Sequence, residues 1–311
     1  MRIGIPKEIA AGGKEHRAIL LPREVKRLCE AGHNVFIEKG LGERMFFKDE
    51  EYRKAGAMVL SNRRHVFDKD IVVKLKPPLM GEFKLLKNNL LFCMMHAEQN
   101  PKYVKALKQT RSKAIAMELI ENSAGERLIH CSPMGGEQGM IMAFHMALKV
   151  PSDCRVLIMG YGDIASGAIK VAYNLGADVK ILRRPQYGHI RHFIRNKDII
   201  VNGIKWPKDK RDNKMYLITR KMLALLNKGA VVLDLSVDYP NPIETCRPTL
   251  LDRPSYVVDG VRHICIFGYP GLVPLSSAKV YSRQVLPILL KIAATRFERL
   301  PKYLTKAAIV P

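Results

Sequence analysis

The sequence predicts an α/β protein with two Rossmann-like domains, a substrate domain and a dinucleotide-binding domain with a cleft between them. Short apolar strands alternate with helix-like stretches through the first 130 residues, and a second strand–helix–strand unit begins near Cys154. This alternation is typical of parallel sheets covered by helices. A chain of 311 residues is also long enough for two domains.

Five strands are predicted in the first domain, because five short apolar runs are bounded by polar or turn residues. In chain order they read MRIGIP, NVFIEKG, IVVKLKP, LLFCMMH and KAIAMEL. The clearest helix between them starts at Pro22 and is followed by Gly32. Proline at the start and glycine just past the end are the usual helix boundaries.

The second domain begins with the buried strand RVLIMG, a helix that closes on Gly176, and the strand DVKILRR. KDIIVNGI and AVVLDLSV are predicted as further strands of the same sheet. A long amphipathic helix follows near the end of the chain, and Pro287 should bend it or mark its start. We therefore assign residues 1–130 and 275–311 to the substrate domain and residues 131–274 to the dinucleotide-binding domain.

The chain carries a large positive charge. It has 52 Lys and Arg against 29 Asp and Glu, a formal net charge of +23 at pH 7. Such a field attracts anions, including nucleic acid and phosphorylated or carboxylated small molecules. Because the sequence contains no nucleic-acid-binding motif, we expect small-molecule partners rather than nucleic acid.

Several other classes of protein do not fit the sequence. No run of eighteen or more apolar residues is present, so no membrane span is expected. The N-terminal segment lacks the zones of a signal peptide, which favours a cytoplasmic protein. The six cysteines form no CxxC pair, so we predict neither a metal site nor a disulfide framework.

A glycine-rich turn predicts a dinucleotide site. Gly160, Gly162 and Ala165 form GxGxxA between a strand and a helix, where glycines allow a tight turn and bring the backbone close to a pyrophosphate. Arg183 lies 21 positions after Gly162, where an acid would bind the ribose of NAD, and Arg184 follows it. Guanidinium groups bind a 2′-phosphate, so the predicted cofactor is NADP(H). The alternatives are a structural glycine turn without nucleotide and two solvated surface arginines.

Several segments together resemble the family of alanine dehydrogenase and the N-terminal part of nicotinamide nucleotide transhydrogenase. The resemblance is carried by MRIGIPKEIAAGGKEHRAILLP, GHNVFIEKGLGERMFFKDEEYRKAGA, VVKLKPP, LLFCMMH, the glycine turn and VLDLSVD. It implies that Arg17 and Lys76 bind the carboxylate and carbonyl of a 2-oxo acid. It also implies that His96 is the catalytic acid or base and that Asp238 is a catalytic acidic residue beside the nicotinamide.

The chemistry of these side chains agrees with such roles. An arginine fork matches a planar carboxylate, a lysine polarises a carbonyl, and an imidazole titrates near neutral pH. Simpler interpretations stay open for each residue. Arg17 and Lys76 could be surface charges, His96 a hydrogen-bonded core histidine, and Asp238 the cap of a turn.

The chain also departs from alanine dehydrogenases. It is shorter, it has Arg183 where most have an acid, and only 13 residues separate Arg184 from Asp198. PMGGEQG and FGYPGLVP replace other turns of that family. These features resemble N5-(carboxyethyl)ornithine synthase of the same superfamily. They imply an NADPH-dependent oxidoreductase acting on CH–NH bonds, which reduces the imine formed between pyruvate and the side-chain amine of ornithine or lysine.

Other functions are kept as alternatives. One is an alanine dehydrogenase-like enzyme that uses free ammonia, and another is a saccharopine-forming dehydrogenase. A third is a non-catalytic protein that binds NADPH or nucleic acid. The family habit suggests a homo-oligomer. For a dibasic amine, Glu137 or Asp238 is the expected carboxylate partner.

Overall fold

The computed structural model describes residues 1–9, 15–98, 100–237 and 239–310. The chain divides into two compact units: the first contains Met1–His130 and Val273–Pro311, and the second contains Cys131–Leu272. Each unit is built on a largely parallel sheet. The predicted α/β class with two Rossmann-like domains is therefore confirmed.

The strands and helices alternate along most of the chain. The described strands are β1 (Arg2–Ile5), β2 (Asn34–Glu38), β3 (Met58–Leu60), β4 (Ile71–Val73), β5 (Leu90–Cys93), β6 (Lys113–Ala116), β7 (Arg155–Met159), β8 (Asp178–Leu182), β9 (Ile199–Asn202), β10 (Val231–Asp234), β11 (Ser255–Val258), β12 (Val261–Ile264) and β13 (Ala308–Ile309). The described α-helices are α1 (Pro22–Glu30), α2 (Asp49–Lys54), α3 (Arg63–Phe67), α4 (Met80–Phe83), α5 (Pro101–Thr110), α6 (Ser132–Met146), α7 (Asp163–Asn174), α8 (Ile190–Phe193), α9 (Lys208–Asp212), α10 (Pro274–Ala294) and α11 (Lys302–Thr305). Within these ranges, every helix is too short or too polar to cross a bilayer.

The sheet of the first unit has the order β13-β6-β5-β4-β1-β2-β3. Its strands are parallel except β13, which pairs antiparallel with β6. The central strand β4 is buried along its whole length because both of its faces are covered. β1 lies between β2 and β4, so the strand order reverses beside it. In open α/β sheets, ligands bind at the carboxyl ends of the strands next to such a reversal.

The helices of the first unit follow their sequence signals in most respects. α1 has Pro22 in its first turn, buries Val25 and Leu28, and is followed by Gly32 with a φ of +82°. α10 begins at Pro274, so Pro287 does not mark its start but lies inside the helix. A proline there removes one backbone N–H from the helical ladder. Val285 and Leu289 beside it are fully buried.

The sheet of the second unit has the order β11-β12-β10-β9-β7-β8. It is parallel except for β11, which forms an antiparallel hairpin with β12. β7 lies between β8 and β9, so the order reverses at β7. The turn that follows β7 is therefore at the position where doubly wound sheets bind nucleotides.

Two helices of the second unit touch through their backbones. A Cβ on Gly136 of α6 would lie 1.9 Å from the carbonyl oxygen of Ile164 in α7. A Cβ on Gly167 of α7 would lie 1.8 Å from the carbonyl oxygen of Pro133 in α6. Neither position has room for a side chain, which gives a packing reason for Gly136 of PMGGEQG.

Candidate active site

Three of the predicted site residues lie together in the first unit. Lys76 follows β4 and His96 follows β5, and these strands are neighbours in the sheet. Arg17 lies shortly before α1. The charge of Arg17 lowers the pKa of Lys76, and the charge of Lys76 lowers the pKa of His96. Such coupling requires the groups to be close in space. Asp238, the fourth predicted residue, lies outside the described residues.

Arg17 forms a buried, two-point ion pair with Glu15. Its Nε donates to Oε1 at 2.6 Å and its Nη2 donates to Oε2 at 2.5 Å. Arg17 is only 4% exposed and its guanidinium lies 5.7 Å from the ring centre of Tyr281. Arg17 is therefore not a solvated surface charge. Because a guanidinium has a second edge formed by Nη1 and Nη2, the pair with Glu15 leaves an edge suited to another carboxylate.

Lys76 has an ammonium group that loses its proton easily. Its pKa falls from 10.5 to about 8, first because burial disfavours the charged form and then because Arg17 repels it. The backbone before it is held by Glu8, which accepts from the N–H of Leu75 at 2.6 Å and from that of Lys76 at 3.4 Å. Glu8 also pairs with Lys74 at 3.1 Å, with both side chains buried. Lys76 thus follows a strand end that hydrogen bonds hold in place, and its pKa of about 8 lies well below that of an ordinary lysine.

His96 has an unusual backbone and a weakly basic ring. Its φ is +46°, in the left-handed region that non-glycine residues seldom occupy. The pKa of its imidazole falls from 6.5 to about 4, first because of burial and then because of Lys76 and Arg127. The ring is therefore neutral at pH 7, and burial is the largest cause of the difference from an ordinary histidine.

A carboxylate holds the backbone of His96 in this conformation. Glu118 follows β6 and accepts from the N–H groups of Met95 at 3.0 Å and His96 at 2.5 Å. Burial raises the pKa of Glu118, although these two N–H groups and Arg127 oppose the shift. Arg127 also donates from Nε to the carbonyl oxygen of Glu118 at 2.9 Å.

Glu8 and Glu118 therefore hold two adjacent strand ends in the same way. Glu8 follows β1 and binds the end of β4, and Glu118 follows β6 and binds the end of β5. Glu8 and Glu15 were not among the predicted site residues. The signal for Glu8 was available, since an acid shortly after a parallel strand lies at the same sheet edge as Lys76 and His96.

The predicted dinucleotide turn has the geometry that a pyrophosphate requires. Gly160 has a φ of +93°, and a Cβ there would lie 2.7 Å from Cγ2 of Ile204. Gly162 precedes α7, and a Cβ on it would contact nothing within 4 Å. Ala165 is buried, and a Cβ added to Gly203 would lie 2.8 Å from the Cβ of Ala165. The turn is tight, the helix packs closely, and the space at the N-terminus of α7 is open, so these residues fit a dinucleotide.

Arg183 and Arg184 follow β8 and are both exposed. The guanidinium carbon of Arg183 lies 5.5 Å from the ring centre of Tyr161, which stands in the glycine turn. The backbone N–H of Arg183 donates to Oε1 of Gln186 at 2.9 Å. Short helical segments alone connect β8 to β9 in this described stretch, as the short sequence spacing indicates.

The second unit also contains a buried group of potential ligands that sequence spacing could not indicate. Asp234, Cys246 and Cys265 offer ligand atoms within 4.8 Å of one another, and they come from three separate segments. Asp234 accepts from the side-chain amides of Asn202 at 2.8 Å and Asn241 at 2.7 Å. The carboxylate is thus already held by hydrogen bonds, and burial raises the pKa of the Cys246 thiol.

Comparisons with known proteins agree on one family. The family model "Alanine dehydrogenase/PNT, N-terminal domain" matches residues 4–136, and "Alanine dehydrogenase/PNT, C-terminal domain" matches residues 182–308. Alanine dehydrogenase 2 of Staphylococcus aureus strain USA300 is 31% identical, over 94% of this chain and 87% of that protein. The protein of the same name from strain N315 is 29% identical, with the same coverage.

Solved structures give the same result. An L-alanine dehydrogenase has a TM-score of 0.86 and 26% identity, covering 99% of this chain and 94% of that one. A transhydrogenase from Sinorhizobium meliloti has a TM-score of 0.80 and 22% identity, covering 94% of each chain, which shows the shared fold. The chain therefore belongs to the alanine dehydrogenase/PNT family of nicotinamide-dinucleotide oxidoreductases.

Proposed function

We propose that this protein uses NADPH to reduce the imine formed between pyruvate and the side-chain amine of ornithine or lysine, as an N5-(carboxyethyl)ornithine synthase does. The observation that carries the proposal is the grouping of Arg17, Lys76 and His96 at one sheet edge of the first unit. Arg183 and Arg184 after β8 support the choice of NADPH over NADH.

Arg17 and Lys76 bind the oxo acid in this proposal. The Nη1–Nη2 edge of Arg17 takes the carboxylate, because Glu15 already occupies the Nε–Nη2 edge. Lys76 then lies beside the adjacent carbonyl and polarises it. The buried pair with Glu15 keeps the guanidinium in one orientation, which fixes the direction from which the carboxylate binds.

Lys76 and His96 divide the proton transfers according to their pKa values. The amine nitrogen attacks C2 of pyruvate, its surplus proton passes to neutral His96, and the carbonyl oxygen takes a proton from Lys76. A second proton, returned from His96, lets that oxygen leave as water and forms the protonated imine. Lys76 titrates at about 8 and is largely protonated at pH 7, as an acid should be. Bound NADPH supplies the hydride that C2 of the imine accepts.

The cofactor is held in the second unit. The turn of Gly160 and Gly162 brings backbone N–H groups and the N-terminus of α7 to the pyrophosphate. Arg183 and Arg184 bind the 2′-phosphate with charge-assisted hydrogen bonds. Asp238 is the proposed acidic residue beside the nicotinamide.

The second amine of ornithine or lysine needs a carboxylate in a strongly basic protein. Glu137 is a poor candidate, because it pairs with Lys170 at 2.8 Å. Asp238 is the remaining candidate of the two. Its carboxylate would have to neutralise the distal ammonium group.

Turnover measurements with separate amines test the proposal. Oxidation of NADPH or NADH is followed with pyruvate plus ornithine, lysine, ammonium or buffer alone. We expect turnover that requires ornithine or lysine and prefers NADPH. Arg183→Asp should shift the preference toward NADH, whereas Arg195→Asp, at another exposed arginine of the second unit, should leave it unchanged.

Alanine formation is the second candidate. It is favoured by the names of the relatives, alanine dehydrogenase 2 and L-alanine dehydrogenase. Turnover with pyruvate and ammonium alone would replace our proposal by this one. Turnover that needs 2-oxoglutarate and lysine would indicate a saccharopine-forming enzyme instead.

A further inference from the structure

We infer that Tyr161 is a specificity-determining residue, whose ring positions the guanidinium of Arg183 for the 2′-phosphate of NADPH. The inference rests on the proposed function, since it assumes that NADPH is the cofactor. The inference adds Tyr161, a residue of the glycine turn, to the residues that recognise the 2′-phosphate. In the usual reading of that turn, its residues contact only the pyrophosphate.

The register of the sheet brings the two residues together. β7 and β8 are parallel neighbours in which Met159 pairs with Leu182. The N–H of Gly160 donates to the carbonyl oxygen of Leu182 at 3.1 Å, so the pairing continues into the turn. Tyr161 follows Gly160 and Arg183 follows Leu182, so the two residues leave neighbouring strands at the same end of the sheet.

The two side chains form a cation–π contact. The guanidinium carbon of Arg183 lies 5.5 Å from the ring centre of Tyr161, within the distance of a cation–π interaction. Tyr161 is 67% exposed, which is high for a large aromatic residue. Its ring is not part of the hydrophobic core, and the contact with Arg183 is one that a core role does not explain.

This geometry suits phosphate binding. A guanidinium donates its hydrogen bonds in its own plane and contacts a ring through its face. A guanidinium that lies over the ring of Tyr161 therefore keeps in-plane donors for two phosphate oxygens. The backbone bond to Gln186 fixes the main chain of Arg183 but not the end of its side chain. The ring limits the freedom of that end before the cofactor binds, which reduces the entropy that binding must remove.

Binding of two small probes isolates this effect from the unknown substrate. Adenosine 2′,5′-bisphosphate and adenosine 5′-monophosphate differ only in the 2′-phosphate, and calorimetric titration gives their affinities. We expect Tyr161→Ala to weaken bisphosphate binding about two- to fivefold. Binding of the monophosphate should not change. Tyr161→Phe keeps the ring and should match the wild type, as should Tyr173→Ala, which removes an exposed tyrosine of α7.

A double variant tests whether the ring acts through Arg183. Arg183→Ala should weaken bisphosphate binding about ten- to a hundredfold. Adding Tyr161→Ala to it should cause no further loss, because the ring then has no guanidinium to position. Equal loss of both probes in Tyr161→Ala would overturn the inference and show that the ring contacts the adenosine. An unchanged bisphosphate affinity in Tyr161→Ala would overturn it as well.

Failure of the cofactor assignment gives a different result. If the wild-type protein binds the two probes equally well, the 2′-phosphate is not recognised and the choice of NADPH is wrong. If the wild type prefers the bisphosphate and Tyr161→Ala keeps that preference in full, only the role of Tyr161 is wrong.

Discussion

The proposed acid role of Lys76 predicts a pH dependence that can be calculated from its environment. Burial and the charge of Arg17 lower the pKa of Lys76 from 10.5 to about 8. Above that pH the ammonium loses its proton, and kcat/KM for imine formation and reduction should fall about tenfold for each further pH unit. The pKa of His96 is about 4, so the base stays neutral over this range.

The substrate amine also titrates at alkaline pH, and a variant removes that contribution. In Lys76→Arg the guanidinium stays protonated at every accessible pH, so its residual activity should lack the limb near pH 8. The ratio of kcat/KM for the wild type to that for Lys76→Arg cancels the titration of the amine. This ratio should be constant below about pH 7 and should fall about eightfold between pH 8.5 and 9.5. A constant ratio up to pH 10 would refute the assignment of Lys76 as the acid.

Three further changes test the parts of the fold that support the sites. Glu118→Gln exchanges two charge-assisted hydrogen bonds for one neutral bond. It should lower the free energy of unfolding by about 1–2 kcal/mol and reduce kcat. Glu121→Gln, at an exposed glutamate, should change neither quantity. For Asp198, burial raises the pKa, but hydrogen bonds from Lys149 and others lower it below 3.8 overall. The stability that Asp198 adds is therefore present above about pH 4 and lost below it. In urea unfolding at pH 7, Asp198→Asn should have a free energy of unfolding about 1–3 kcal/mol below that of the wild type. This difference should shrink as the pH falls through about 4. Gly167→Ala forces α6 and α7 apart and should lower the free energy of unfolding by about 1–3 kcal/mol or more in the same assay. Gly188→Ala places its methyl group in open space and is the control. Equal stability of the two variants would contradict this packing.

Much of the fold could be predicted because its central strands carry strong local signals. β1, β2 and β4–β10 are short apolar runs between turn residues, and each was predicted from that pattern. β3, β11, β12 and β13 were missed. β12 is mostly buried, but Arg262 and His263 interrupt its apolar run. The other three, β3, β11 and β13, lie at sheet edges and are mostly half-exposed, so they lack the continuous apolar run of a buried strand.

The candidate site could be predicted only in part. Arg17, Lys76 and His96 stand in motifs that resemble a family, and the structure brings them together. Their partners were harder to find, because the contacts are distant along the chain: Glu8 binds the N–H of Leu75, 67 residues later. The pKa of Lys76 depends on burial and on the charge of Arg17, and that of His96 depends on burial and on the charge of Lys76. No single segment of the sequence encodes these effects.

The manner in which Glu8 and Glu118 hold the strand ends has an evolutionary consequence. Both carboxylates bind main-chain N–H groups, at Leu75 and Lys76 and at Met95 and His96. Every amino acid except proline offers the same N–H, so the hold does not depend on which side chains these four positions carry. A descendant of this protein could exchange Lys76 or His96, for a new substrate or for no reaction at all, and keep the main-chain hydrogen bonds that hold both strand ends.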